Sequence, residues 1–500
     1  MSSDAIVETV SKPRYSQAVR TSFWFIIVAL FCLFFSDISI STQDPWTELK
    51  RMGWGIVTPN FLDYGIIFEA LVQTIAFALL GVALGAGGGF ILAQFFHIGI
   101  VRWGCAFVRA IHEIFWALIF LQMLGLTPLT GLLAIGIPYA GICAKVYAET
   151  LEEADLRAEK AVPGGSSLIS TFFYARLPEV WAHIVHYTSY RFECGLRSSA
   201  VLGFIGMPTL GFHLESAFGE GNYSDAAALL IAFYVLIVTL RFWMRGRLLG
   251  LYLLAAPFFL AGGSEIKLTN IVRFLTSDIV PAPLRIGDFS GFVDWMISLF
   301  NTQIVPGVFA TVILTQIALV MTAFLALVLF PLISEKFLGR FGRSVGHVFL
   351  VIVRSTPEFI LAYIFLQLWG PSMLPAIVAL SLHNGAIIGH LMGRYSNEVL
   401  LRPDHGKGLN LYSYEIVPRI YGQFLAFLFY RWEVIMRETA ILGILGIATL
   451  GFFVDSAIAD IRLDRAMFLI LVTAILNIGI DIISRKLRAR LRINQTVEAV

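Results

Sequence analysis

The sequence predicts an all-α membrane protein of about twelve transmembrane helices, arranged as two parallel six-helix repeats, and three observations predict it. Of 500 residues, 58% are hydrophobic and 14% charged, with a mean hydropathy of +0.79, a composition of spanning helices rather than of a soluble domain. Two stretches are versions of each other: YRFECGLRSSAVLGFIGMPTLGF at Tyr190–Phe212 and YRWEVIMRETAILGILGIATLGF at Tyr430–Phe452. Finally, Lys and Arg recur in alternate connections between apolar runs, as the positive-inside rule requires of a polytopic chain.

The first half offers apolar segments at 22–36, 64–96, 101–124, 130–147, 180–212 and 226–243, and the second at 248–262, 305–333, 345–369, 375–392, 420–454 and 467–483. Each is long enough to span the hydrocarbon layer, or nearly so. Basic residues cluster before the first segment (Lys12, Arg14, Arg20), between the fourth and fifth (Arg157, Lys160, Arg176) and between the halves (Arg241, Arg245, Arg247). They cluster again at Lys336, Arg340 and Arg343, at Arg402, Lys407 and Arg419, and from Arg485 to Arg492. Both termini and the central linker are therefore expected in the cytoplasm, and the first apolar run reads as an anchor rather than a cleaved signal. The net charge of +2 adds little, and no nucleic-acid partner is expected.

The duplication extends to RAIHEIFWALIFLQMLG (Arg109–Gly125) and RSTPEFILAYIFLQLWG (Arg354–Gly370). With an even number of helices per half, both halves enter and leave on one side, so they are parallel repeats, 1–245 and 246–500, related by an axis along the membrane normal. Segments 37–63 and 265–302 face outward and mix Trp46, Trp54 and Trp295 with polar residues, a pattern of amphipathic helices at the interface.

Charges within apolar helices cost several kcal/mol unless they pair or line a cavity, so the repeated ones are candidate site residues. They are Arg109, Glu113, Arg191, Glu193 and Arg197, matched by Arg354, Glu358, Arg431, Glu433 and Arg437. Arg109 and Glu113 are four apart, as are Glu193 and Arg197, so each pair is expected to share a helix face and neutralise itself. Arg191 and Arg431 point about 200° away from the glutamate two residues on, at about 100° per residue, and are left without a same-helix partner. They are expected to meet a carboxylate on another helix, water or a passing anion. The glycines Gly203, Gly206 and Gly211, with Gly443, Gly446 and Gly451, break the fifth helix near its outer end, where an irregular backbone must be packed in protein or line a cavity. An outer gate is the functional reading and tight packing the alternative. Gly85, Gly87, Gly88 and Gly89 read as a packing site.

Cys32, Cys105, Cys143 and Cys194 sit singly in apolar helices and suit a core better than disulfides. The nine histidines have no ligand spacing that calls for a metal, and no phosphate-binding loop sequence occurs. If transport is ATP-driven, the ATPase is another polypeptide.

The connection at 149–178 carries Glu159, Ala161, Gly165, Leu177 and Pro178 on the spacing of a Glu-Ala-Ala run, a glycine and a Leu-Pro, although Lys160 replaces one alanine. In this it resembles the permease subunits of bacterial ABC importers. The resemblance implies a coupling helix that docks on an ATP-binding subunit, with the proline starting the next helix. The second connection, 396–418, departs from the pattern: Pro418 is kept, but Pro403 and Gly406 interrupt any such helix. Arg354, Pro357 and Glu358, and the Tyr-Arg-x-Glu-x-x-x-Arg helices running into Leu-Gly-x-x-Gly, are similar to the phosphonate-type permeases of that family. His112 stands where the first half should have proline.

The resemblance implies a type I importer permease with two copies fused in one chain, performing no covalent chemistry. It implies a multi-pass subunit of the inner membrane, two ATP-binding cassette subunits carrying ATP-Mg, an extracytoplasmic binding protein, and a phosphonate- or phosphate-like oxyanion as substrate. No cofactor is expected on this chain itself. A self-sufficient secondary anion transporter with two six-helix halves is the competing class.

Overall fold

The computed structural model describes residues 16–42, 44–155, 157–163, 165–260, 262–263 and 265–491. Lys12, Arg14 and Arg492 lie outside them. The first half comprises α1 (Gln17–Leu33), α2 (Pro45–Val57), α3 (Tyr64–Gln94), α4 (Gly99–Ala110), α5 (Glu113–Leu124), α6 (Pro128–Glu152), α7 (Leu177–Val201), α8 (Leu210–Gly219) and α9 (Tyr223–Trp243). The second comprises α10 (Gly246–Phe259), α11 (Phe289–Leu299), α12 (Val305–Leu329), α13 (Arg340–Ser355), α14 (Glu358–Trp369), α15 (Met373–Glu398), α16 (Val417–Ile444), α17 (Leu450–Ala459) and α18 (Leu463–Arg490). No strand occurs among the described residues.

By length and composition, six helices can cross a membrane, and eight if each bent pair counts once. This is fewer than the twelve expected. α7 and α16 carry too many charges to read as apolar spans, and α1 and α10 have only 17 and 14 residues. The third segment of each half is not one helix, since α4 meets α5 at 93° and α13 meets α14 at 91°. Pro357 explains the second break, because the residue before a proline avoids helical geometry and Thr356 is extended at ψ 120°. His112 makes the same break without proline: Ile111 and His112 are extended, and the His112 ring Nδ1 accepts the Ile114 N–H at 3.2 Å, capping α5.

Helices α3 with α6, and α12 with α15, form the tightest packing in each half. Gly85 and Gly89 make the first of these possible, since a Cβ at either would run into Tyr139 or Cys143. All four cysteines are free. The first helix of each half crosses over: α1 packs on α12 and α10 on α3. Phe25 of α1 sits 5.1 Å from Trp432, edge to face, and its carbonyl accepts from Gln316. Further inter-half contacts are also reciprocal: α4 with α18 and α9 with α13, and α2 with α14 and the short helix Leu268–Arg273 with α5.

The expected amphipathic segments are partly as read. α2 is separate, but α11 continues through a π-helical turn into α12, giving one helix from Phe289 to Ile333. Similar π turns, Phe172–Arg176 and Leu411–Ile416, lead into α7 and α16. Each of the three turns is followed within two residues by a proline, Pro306, Pro178 or Pro418. The proline therefore does not start the fifth helix, as expected, but lies inside a longer one. The wider turn takes up the missing donor and the ring's clash with the preceding carbonyls.

Candidate functional site

Helices α7 and α16 bring the repeated motif to a cavity of about 140 Å³ between the halves. Arg191, Arg197, Arg431 and Arg437 line it, together with Glu113, Glu358 and Glu438, and with Tyr139, Tyr190, Tyr430, His112 and Ser198. Of the ten charged residues singled out by the repeat, six therefore meet here. Arg109, Arg354, Glu193 and Glu433 stand behind the wall.

The expected same-helix pairs do not form. The bend at Ile111 and His112 takes Arg109 and Glu113 onto different helices. Arg109 instead reaches the other half, with Nη2 2.8 Å from Asp481 and Nη1 3.4 Å from Glu433. Among the described residues no ion pair within 4 Å joins Glu193 to Arg197. Arg197 Nη1 lies 3.4 Å from His383 Nε2 and Nη2 3.5 Å from Cys194 Sγ. Arg437 donates to the Arg109 carbonyl at 3.0 Å and Asn477 to the Ala110 carbonyl at 2.6 Å, so the second half caps the open C-terminus of α4. Arg354 has a buried Nε with no partner among the described residues.

Arg191 has no carboxylate partner among the described residues. It donates to the Tyr187 hydroxyl at 2.8 Å, with its guanidinium over the Tyr187 and Tyr190 rings. Arg431 makes no hydrogen bond or ion pair with any described residue. Two half-buried guanidinium groups thus face the cavity unneutralised by direct contact, an arrangement suited to an anion.

The carboxylates differ between the lobes. In the first, Glu113 accepts from Ser198 Oγ at 2.8 Å, and Ser198 meets the Tyr139 hydroxyl at 3.1 Å. In the second, Glu438 replaces that serine and accepts from Asn384 at 2.9 Å. Glu358, His383 and Glu438 each offer a ligand atom within 4.8 Å of the others. A metal does not fit there, because the Arg197 guanidinium stands against the His383 nitrogen it would need. His383 and Asn384 were missed in the sequence because they lie on the fourth segment, which carries no repeated charge.

Four of the six glycines, Gly203, Gly211, Gly443 and Gly451, have a packing role, and Gly206 and Gly446 a conformational one. The fifth segment does not run on to Phe212 and Val454: α7 ends at Val201, α16 at Ile444, and the chain folds back. Gly206 and Gly446 take the left-handed conformation at φ 87° and 86°. A Cβ on Gly211 would overlap the Ala200 carbonyl, one on Gly451 the Ala440 carbonyl, and Gly203 and Gly443 meet the returning backbone equally closely. The N-termini of α8 and α17 are fixed alike, Leu210 N–H donating to Thr74 at 2.9 Å and Leu450 N–H to Thr311 at 3.0 Å.

In the first long connection two single turns, Arg157–Lys160 and Leu168–Thr171, flank Gly165 at φ 104°. Ala161 is exposed in a turn, and the Glu159 side chain lies outside the described residues. Leu177 and Pro178 lie in α7. The second connection has no separate helix. It forms a cleft of about 310 Å³ containing Arg402, Asp404, His405, Gly406, Asn410, Tyr414 and Glu415, with Pro418 in α16. Glu415 pairs with Arg419 at 2.5 Å.

The fold is that of an all-helical membrane protein with a charged cavity between its halves, and the known proteins it is similar to are permeases. The chain is 24% identical over 475 residues to the phosphate-import permease protein PhnE of Mycolicibacterium smegmatis, covering 89% of this chain and 88% of that one. The phosphite transport system permease protein PtxC of Stutzerimonas stutzeri is 24% identical over 234 residues, 85% of its own length but 45% of this chain. The putative cryptic phosphonate transport system permease protein PhnE2 of Escherichia coli is 27% identical over 112 residues, 92% of its length and 22% of this chain. The chain is similar to permeases of phosphate, phosphite and phosphonate transport systems; it matches the first along most of both chains, and is long enough to hold two copies of a chain the length of PtxC, less a few tens of residues. No family model matches it, and no solved structure does.

Proposed function

We propose that the chain is the fused, pseudo-dimeric transmembrane subunit of an ABC importer. Its repeats 1–245 and 246–500 carry a phosphorus oxyanion from an extracytoplasmic binding protein into the cytoplasm across the inner membrane. Two separate ATP-binding subunits drive it by docking at the connections 149–178 and 396–418, and the chain itself catalyses no covalent step. The reciprocal packing of α1 and α10 supports two equivalent units in one molecule. The folded-back segments at Gly203–Gly211 and Gly443–Gly451 form the outer gate as the halves rock.

The observation that carries this reading is the pair Arg191 and Arg431, facing one cavity without carboxylate partners. Its test is uptake of radiolabelled phosphate, phosphite or methylphosphonate into vesicles holding the chain with a candidate ATP-binding subunit and a candidate binding protein from the same organism. Uptake is expected to require all three polypeptides and ATP. Accumulation by the chain alone, driven by an ion gradient, would overturn the ABC assignment in favour of a secondary transporter.

A further inference from the structure

An anion path lined by guanidinium groups has no evident need of carboxylates, yet Glu113, Glu358 and Glu438 all line this one. Glu113 and Glu438 are engaged by Ser198 and Asn384. Glu358 is different. Among the described residues, the cationic or imidazole nitrogen within 4 Å of it is His383 Nε2, at 3.9 Å. His383 Nδ1 lies 2.9 Å from the Thr356 carbonyl, which can only accept. In the neutral ring Nε2 is then the lone-pair nitrogen and no donor. The charged or titratable neighbours of Glu358 are His383 and Glu438, with Arg197 from α7 and His112 from the first half. None of them gives its carboxylate a hydrogen bond among the described residues; beyond the bond it accepts from its own backbone N–H, its acceptor capacity is open to the cavity.

A fully ionised oxyanion placed between Arg191 and Arg431 would set oxygen lone pairs against that carboxylate. An oxyanion that keeps one acidic hydroxyl would offer it a donor. We propose that the cavity selects tetrahedral oxyanions carrying at least one acidic hydroxyl: Glu358 accepts the substrate O–H while Arg191 and Arg431 hold its charged oxygens. The class comprises hydrogenphosphate, hydrogenphosphonates and hydrogenphosphite, and excludes sulfate, which keeps no proton at neutral pH. This inference rests on the proposed function, with Glu358 as its specificity-determining residue.

The test uses the purified full chain in nanodiscs and equilibrium binding of radiolabelled phosphate, competed by three unlabelled anions at a pH where each is a monoanion. Methylphosphonate and its monomethyl ester carry the same charge, but the ester has lost the hydroxyl. Ethylphosphonate matches the bulk of the ester and keeps the hydroxyl. A site built to bond a hydroxyl discriminates strongly against an analogue without one, so methylphosphonate and ethylphosphonate are expected to compete roughly tenfold or more better than the ester. In Glu358→Gln the amide can donate to the ester oxygen, and the preference is expected to collapse to within about twofold. Equal competition by ester and acids in the native chain overturns the proposal and leaves the transport reading standing; this arm needs no variant to fold. A Glu358→Gln chain that is monodisperse and keeps the full preference also overturns it. Absence of any saturable phosphate binding overturns the cavity reading itself, and the proposal with it.

Discussion

Arg109 Nη2 lies 2.8 Å from Asp481 Oδ2, joining the bend of the first half to the last helix of the second across 372 residues of sequence. Both side chains are largely buried, at 15% and 7% exposure, and Asp481 also holds Arg485 at 3.1 Å. Breaking a buried pair by removing one partner leaves a charge without compensation. Here Glu433 still offers Arg109 an oxygen at 3.4 Å, so Asp481→Asn is expected to cost less than a fully isolated pair would, about 1–3 kcal/mol. In a double-mutant cycle Arg109→Met with Asp481→Asn should be clearly less costly than the sum of the single changes. Thermal unfolding in detergent measures it, and additive losses would show that the two residues do not interact.

The folded-back segments make a contrast within one short stretch. Gly211→Ala puts a methyl group into the Ala200 carbonyl, and neither helix backbone can yield without moving the other. Gly206→Ala meets nothing closer than 3.8 Å and pays only for its left-handed φ of 87°. Gly211→Ala is therefore expected to lower assembled yield severely, and Gly206→Ala by about 1 kcal/mol of stability. Equal, mild effects in a thermal-shift assay would remove the close-packing account.

Exchange of the first helices predicts the behaviour of a divided chain. Fragments 1–245 and 246–500 each contribute a helix to the other, α1 onto α12 and α10 onto α3. Co-expressed, they should purify as a stoichiometric complex, because the inter-half contacts do not need the linker. Expressed singly, each leaves its partner's groove open and should aggregate. A fragment that is monodisperse by itself would contradict the exchanged packing.

Much of this was legible because duplication marks what must be kept. The paired arginines, the glutamates and the six glycines stood out in an apolar background, and six of the ten charged residues came together at the cavity. The mispairing of Arg109 had one cause. A spacing of four means a shared face only if the helix continues, and the helix ends at Ala110. Pro357 announced that break in the second half, whereas His112 makes it through a ring nitrogen that no spacing rule reads. The fifth segments are shorter than their apolar runs because Gly203 and Gly443, which read in sequence as breaks in a helix, are the start of its return. The partners of Arg109, Arg197 and Glu438 lie on distant segments, and single-sequence periodicity carries no information across that separation.

The two long connections, 149–178 and 396–418, are unequal, and so should be their sensitivity. Gly165 has φ 104°, a conformation closed to proline, whose ring fixes φ near −65°. Gly165→Pro must therefore rebuild the turn between the two short helices. Gly406 has no such backbone requirement, and its connection folds against Glu415 and Arg419 instead. If both contact ATPase subunits, Gly165→Pro should uncouple ATP hydrolysis from uptake far more than Gly406→Pro. Equal losses in reconstituted vesicles would show that the two connections couple alike.

The arginines without carboxylate partners give the sharpest separation of roles, because their surroundings differ. Arg191 is tied to Tyr187 by a 2.8 Å hydrogen bond and by its ring, so Arg191→Met loses packing as well as charge. Arg431 has no hydrogen bond or ion pair with any described residue and meets the same cavity. Arg431→Met should therefore abolish uptake of an anionic substrate with little change in thermal stability, whereas Arg191→Met should lose uptake and about 1–2 kcal/mol of stability together. Loss of a structural ion pair would instead cost about 3–5 kcal/mol, visible as failed assembly. Uptake measured beside unfolding temperature decides: an Arg431→Met chain that transports normally removes that residue from the path, and one that fails to assemble assigns it a structural role.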